Sequence, residues 1–363
     1  MNEPELNTTV GPTFWQLFFK ATGLALLFAS GMLIITALAV GAVFYHKLQV
    51  FSQTSGVPIG TLRQIVEDGW KKQPVTTQGR KNVLLLGIDS LPNRGSVPEL
   101  TDTMLLASLD LNSGTIYTIP LPRDLWTPEY KTKINALYAY GKDRYPGHPE
   151  QFPTEVLQQM TGVTINHTVV ISIGTLSELI DLLGGIEVVV PTSFTDIQFP
   201  RSDVNIQVER DPKKLYETVA FSQGTEVMTG ERALQYIRSR HSEGDTGTDI
   251  DRGLRQQQVI DGILKKAQSK ELLTNPVVLG KLYAWYAHHF ATAITPEEII
   301  ATGKALYPHR ETITHKSTDL TVFPKDPTGT ISNPPIKKYN QWVYEVRDPA
   351  AFMAAVHTSL GMP

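Results

Sequence analysis

The longest apolar stretch of the chain lies near its start. Residues 21–45 carry no charged side chain. As a helix rising about 1.5 Å per residue, such a run is about 37 Å long, enough to cross a bilayer core with some tilt. Phe14, Trp15, Phe18 and Phe19 precede it, Tyr45 closes it, and Lys20 and Lys47 bracket it, as interfacial aromatics and cations do. A soluble helix is not apolar all round for about seven turns. A cleaved signal peptide is the alternative, because Ala37-Leu38-Ala39 has the small-x-small form. The apolar run continues past that point to Tyr45, which favours a retained span. Charge bias does not orient it: Lys20 is offset by Glu3 and Glu5.

After the span the pattern changes. Residues 46–80 mix Gly, Pro, Gln and Thr with a short amphipathic piece at 62–70, which reads as a stalk. Short continuous apolar runs at 82–89 and 104–109 read as buried strands. Asn112, Ser113 and Gly114 make a tight turn into a third strand at 115–119. A helix is predicted at 154–160, a strand at 168–173, a helix at 176–183 ended by Gly184-Gly185, and a strand at 186–190. This last strand–helix–strand run has short connections, which predicts two parallel strands in one sheet. Helices follow at 229–236 with Thr229 as N-cap, at 252–266 with Val259, Ile260, Ile263 and Leu264 as apolar stripe, and at 296–306 with Thr295 as cap. The expected fold is α/β: a mixed central β-sheet flanked by helices, an α/β/α sandwich after an N-terminal transmembrane helix.

Composition narrows the chemistry. Hydrophobic residues make up 41% and charged residues 19%, so a large core can form. With 33 basic and 36 acidic residues the net charge is -3, which gives no footprint for nucleic acid. The chain has no cysteine, which excludes disulfides, thiolate zinc sites and a cysteine nucleophile and suits an oxidising exterior. Of nine histidines, His288 and His289 are adjacent, a spacing that cannot put two ligands on one helical face.

Acidic and guanidinium side chains cluster at predicted strand ends. Asp89 follows the first strand and Asp102 precedes the second. If these strands are neighbours, the two carboxylates meet at one sheet edge and suit Mg²⁺, which takes a few protein oxygens together with phosphate oxygens. An Asx turn at Asp89 and a strand cap at Asp102 account for them equally well. Arg123 follows the third strand. Arg238 and Arg240 stand two apart, and Arg252, Arg255 and Gln256 share one face of a helical start. Guanidinium forks and a helix N-terminus suit phosphate. A surface laced with ion pairs to Glu231, Glu243, Asp245, Asp249 and Asp251 is the competing account.

Six runs taken together resemble a known family: VLLLGIDS at 83–90, TDTMLL at 101–106, PRD at 122–124, KINALYAYG at 133–141, GERALQYIRSR at 230–240 and DIDRGLRQQQVI at 249–260. They resemble the LytR-CpsA-Psr family of cell-envelope proteins, in the family's order and with similar gaps. The resemblance implies residues 1–20 inside the cell, a single-pass span at 21–45, a stalk at 46–80, an extracytoplasmic catalytic domain at 81–270 and a C-terminal extension, 271–363, packed on it. It implies a Mg²⁺-dependent phosphotransferase of the cell membrane. That enzyme moves a glycopolymer from a polyprenyl-pyrophosphate carrier to a peptidoglycan sugar hydroxyl and forms a phosphodiester. By motif match, Asp89 and Asp102 are the metal side. Arg123, Arg238, Arg240, Arg252, Arg255 and Gln256 hold the pyrophosphate, and Arg123, Arg252 and Asp249 are catalytic. Val169, Ile171, Leu176, Leu179, Ile180 and Leu183 are the candidates for the lipid tail, with ordinary core packing as the alternative for each. Leu91 and Leu100 replace residues that are commonly basic in the family; Arg94 lies between them.

Two other function classes use the same residues. One is a hydrolase that splits the lipid pyrophosphate with water. The other is a non-enzymatic lipid-binding regulator, which has no use for paired carboxylates.

Overall fold

The computed structural model describes residues 14–88, 99–201, 204, 208–239 and 249–362. The main elements, in chain order, are helices α1 (Phe14–Ser55) and α2 (Ile59–Lys71), then strands β1 (Arg80–Ile88), β2 (Thr101–Asp110) and β3 (Thr115–Pro120). Next come α3 (Gln151–Thr161), β4 (His167–Ser172), α4 (Ile173–Leu182), β5 (Ile186–Val190), β6 (Gly224–Met228), α5 (Gly230–Arg238) and α6 (Asp249–Ala267). The chain ends with α7 (Lys270–Thr274), α8 (Pro276–His289), α9 (Pro296–Leu306), β7 (Thr314–Ser317) and α10 (Pro349–Ser359).

Five strands form the central sheet in the order β7-β3-β2-β1-β4. The β1–β2 and β2–β3 pairs are antiparallel, while β4 joins β1 and β7 joins β3 in parallel. The expected mixed sheet is therefore present. Its two faces differ. On one, Leu84, Leu86, Met104, Leu106 and Ile119 are fully buried against Phe152, Val156 and Leu157 of α3 and Phe352 and Val356 of α10. On the other, Val83, Leu85, Val169 and Ile171 are only half-buried. Helix α6 crosses this second face. Its Gln256 Nε2 donates to Thr103 Oγ1 at 2.9 Å, and its Asp261 lies 2.5 Å from His315 Nδ1 on β7.

The predicted parallel pairing of β4 and β5 does not occur. Strand β5 leaves the sheet and pairs antiparallel with β6. Gly184 and Gly185, with φ of 77° and 88°, turn the chain aside in a conformation that side chains disfavour. The pattern of β5 agrees: Ile186, Val188 and Val190 are buried while Glu187 and Val189 are exposed, the alternation of a one-faced strand and not of a central parallel one. Its buried side joins Phe194, Phe199, Phe221, Tyr236 and Val259 in a second core.

In the N-terminal region, α1 runs unbroken through residues 46–55, the first part of the expected stalk. Between Leu26 and Tyr45 its apolar side chains are exposed, Leu26 at 71% and Ile35 at 68%, and the helix is long and apolar enough to cross a membrane. Past Tyr45 it packs on α8, with Phe51 against Tyr283 (5.9 Å between ring centroids). A Cβ on Gly280 would overlap Thr54 Oγ1 and lie 2.9 Å from Phe51 O. Glycine weakens a helix interior by about 1 kcal/mol relative to alanine, so the close approach accounts for its presence. Gly280→Val is expected to force α1 and α8 apart and to expose residues 46–58 to protease in detergent; unchanged protection would refute this packing. Tyr283, Trp285 and Tyr286 are half-buried in α8.

Residues 271–363 supply the edge strand β7 of the central sheet and, through Phe352 and Val356, part of its first core.

Candidate functional site

Antiparallel pairing sets Asp102 and Arg123 at the same end of the sheet. Asp102 is the second residue of β2. Just beyond β3, Leu121 N donates to Met104 O at 2.8 Å, which keeps the chain in register until Pro122 turns it. Arg123 then reaches back, and its Nη1 lies 2.5 Å from Asp102 Oδ1. Its Nε stands 3.4 Å from Asp124 Oδ2, while Lys133 Nζ donates to Asp124 Oδ1 at 2.6 Å. One guanidinium is thus hydrogen-bonded to Asp102 and ion-paired with Asp124. Asn135 is buried beneath this turn: its main-chain N–H donates to Arg123 O at 3.2 Å, and its carbonyl accepts from Thr101 Oγ1 at 3.1 Å.

Asp102, Arg123 and Asp124 line a cavity of about 140 Å³. Asp102, Thr103, Arg123 and Asp124 form one wall, and Gly253 and Gln256 of α6 a second. The third comes from the C-terminal stretch, through Asp319, Leu320, Val322 and Tyr344. The main chain joins this wall to the arginine turn, since Tyr344 N donates to Asp124 O at 2.9 Å and Trp126 N to Tyr344 O at 2.7 Å. Removal from water pushes the Asp319 carboxyl above its ordinary range. A rigid guanidinium, acidic oxygens and amide donors around one small cavity are equipment for gripping an anionic, metal-associated group.

The sequence profile of the LytR_cpsA_psr family matches residues 54–344. The chain belongs to that family. The polyisoprenyl-teichoic acid–peptidoglycan teichoic acid transferase TagU of Bacillus cereus (strain AH820) is 24% identical over 282 residues, 75% of this chain and 80% of TagU. The enzyme of the same type called TagV, from Bacillus subtilis (strain 168), is 28% identical over 254 residues, 67% of this chain and 57% of TagV. With another Bacillus cereus TagU, the match spans only 56% of that relative's length. The crystal structure of B. subtilis TagV shares the fold, with a TM-score of 0.53 at 19% identity, covering 79% of this chain and all of that one.

Against the family motifs, the structure brings together Asp102, Arg123 and Gln256. Asp89 and Arg240 lie outside the described residues. So do the side chains of Asp249 and Arg252, whose backbone opens α6. Arg238, at the end of α5, stacks over the Phe199 ring at 5.4 Å.

Arg255 lies apart from these residues. It is 4% exposed, does not line the cavity, donates to Ser239 O at 2.5 Å and stacks on Phe194 at 5.0 Å. The reason is helical phase: Gly253 and Gln256 share the cavity face, while Arg255 turns with Val259 into the second core. It holds the end of α5 against α6.

The lipid-tail candidates divide in the same way. Ile180 and Leu183 are buried in the second core at 0% and 5% exposure, the ordinary packing alternative. Val169 and Ile171 on the sheet, and Leu176 and Leu179 on α4, remain half-buried, so partly open aliphatic surface remains on both elements. Sequence reading missed the third wall altogether. Asp319 and Tyr344 carry no local signal, because pairings about two hundred residues apart in sequence deliver them: β7 on β3 for Asp319, and the main chain of Asp124 and Trp126 for Tyr344.

Proposed function

We propose that this protein is a membrane-anchored phosphotransferase that moves a glycopolymer from a polyprenyl-pyrophosphate carrier to a peptidoglycan sugar hydroxyl on the outer side of the membrane. The observation that carries the proposal is the cavity in which Asp102, Arg123 and Gln256 converge, beside a sheet face on which Val83, Leu85, Val169 and Ile171 stay half-buried. The names of the TagU and TagV relatives describe the same class of reaction.

The donor chemistry fits magnesium. Asp102 offers a carboxylate whose side chain keeps 28% exposure at the cavity, and Mg²⁺ is held by one or two carboxylates plus substrate phosphates. Asp102 and Asp89 are the residues proposed to hold it. Bound there with the lipid, the ion supplies Lewis-acid stabilisation of charge on the phosphate oxygens.

In the reaction, the acceptor hydroxyl attacks the phosphorus next to the sugar, the new O–P bond forms, and polyprenyl phosphate leaves with the bridging oxygen. The hydroxyl proton passes to a base. Negative charge grows on the bridging and equatorial oxygens, where preorganised guanidinium groups stabilise it most. Arg123, held by Asp102 and Asp124, has that preorganisation. The half-buried residues Val169, Ile171, Leu176 and Leu179 are proposed to take the prenyl chain.

Mass spectrometry of lipid co-purified with the full-length protein tests the reading. Polyprenyl pyrophosphate species should accompany the wild-type protein and be depleted at least tenfold in Asp102→Ala. Transfer to peptidoglycan should stop in chelator and resume with added magnesium. Full transfer in chelator would remove the metal from the proposal. Release of lipid phosphate at the same rate without acceptor would make the protein a hydrolase.

A further inference from the structure

We propose that the corner where α7 meets α8 is a second membrane-contact surface, seated in the headgroup layer of an anionic bilayer beside the point where α1 leaves it. The inference rests on the reading of α1 as a membrane span.

Position is the first observation. Lys47 stands two residues beyond Tyr45, the last residue of the uncharged run, so it sits at headgroup level. Its Nζ donates to Thr274 O at 3.2 Å, which brings the end of α7 to that level. Helix α8 then rises alongside α1 in the same direction: Lys47 meets Thr274, and Thr54 meets Gly280. The start of α8 is therefore its membrane-near end.

Surface chemistry is the second observation. Leu272 is buried at 6% in the second core, and the next residue, Leu273, is turned out at 58% exposure. Val277, one turn on, is 39% exposed. Two aliphatic side chains at one corner have no protein cover, and a bilayer edge covers such groups. Lys265, Lys266 and Lys270 lie on the adjoining turns of α6 and α7, and Glu187 and Glu271 offset two of them. With Lys47, four lysines face two glutamates. This cationic excess around exposed aliphatics suits anionic headgroups, which attract basic residues near the surface. On the inward side of α8, Val278 and Leu282 pack on the second core, so seating this helix at the membrane aligns that aliphatic region with the lipid.

The absence of cysteine makes the test clean. Single variants Leu273→Cys, Val277→Cys, Ala37→Cys and Ile336→Cys of the full chain would be labelled with an environment-sensitive fluorophore. Each would be placed in nanodiscs of phosphatidylglycerol and phosphatidylethanolamine containing brominated lipid. Quenching at 273 and 277 several-fold above that at 336, and reduced in phosphatidylcholine discs, is the expected result. Quenching at 37 with a solvent-like signal at both 273 and 277 overturns the seating while leaving the span intact. Solvent-like signals at 37, 273 and 277 together overturn the span and the seating. Equal quenching at 273 in phosphatidylcholine overturns the preference for anionic lipid.

Discussion

Arg123→Ala should lower the rate of glycopolymer transfer by about 10²–10³ while leaving the fold intact, the loss seen when one preorganised donor to a developing oxyanion is removed. Arg123 stands at the junction of Asp102 and Asp124, so its loss also leaves two carboxylates facing the substrate phosphates without that counter-charge. Arg123→Lys restores charge but not the planar fork, and should recover only a small part of the rate. The measurement is single-turnover transfer at saturating lipid, with urea unfolding in detergent to verify folding. Near-wild-type turnover in Arg123→Ala would remove the arginine from the chemistry and leave it a structural partner of Asp102.

The second large effect concerns stability. Glu298 of α9 is buried at 1% exposure. It pairs with Lys81 of β1, with Lys72 at 3.4 Å and with the Val75 N–H at 2.6 Å. Removing one partner of a buried pair leaves an uncompensated charge, so Lys81→Met should destabilise the fold by about 3–5 kcal/mol. Lys72 nearby draws the expectation to the lower end. Replacing both partners, Lys81→Met with Glu298→Leu, should recover most of the loss.

The same group sets an acid limit. Burial works to raise the Glu298 pKa, but the Lys81 and Val75 hydrogen bonds outweigh it and hold the carboxyl below its ordinary 4.5. A depressed carboxyl contributes stability that is fully present above the unfolded value and lost as pH falls through the folded one. The contribution should therefore be constant above about pH 5 and decline below about 4.5. A pH series of urea midpoints in which wild type and the double variant lose stability in parallel below that point would refute the assignment.

Much of the scaffold was readable because the local signals were strong. The apolar runs of β1 to β3 stop at Gly, Pro or Asp, and Thr229 and Thr295 cap their helices as their positions imply, each accepting the N–H three residues on. What was not readable depends on partners distant in sequence. The polar tetrapeptide Thr-His-Lys-Ser of β7 has no strand pattern of its own; it is a strand because β3 offers an unpaired edge. The departure of β5 from the main sheet was legible in principle through Glu187, a charge that a central parallel strand does not carry. Arg255 shows the limit of motif matching: a guanidinium beside cavity residues in sequence can lie a third of a helical turn away in space. Asp102 and Arg123 lie side by side because an antiparallel hairpin brings the ends of its flanking segments together whatever follows.

Under the proposed reading of α1 as a membrane anchor, its unbroken course into the domain, clasped by α8, makes that anchor a fixed post. A tether with slack would let the catalytic cavity sample a hemisphere of positions. A post of about three helical turns beyond Tyr45, about 15 Å, holds it at one height and leaves it free only to drift and spin in the plane of the bilayer. Under the proposed function, the protein would then meet its lipid donor by a two-dimensional search, and would serve only the layer of wall that lies at its own altitude.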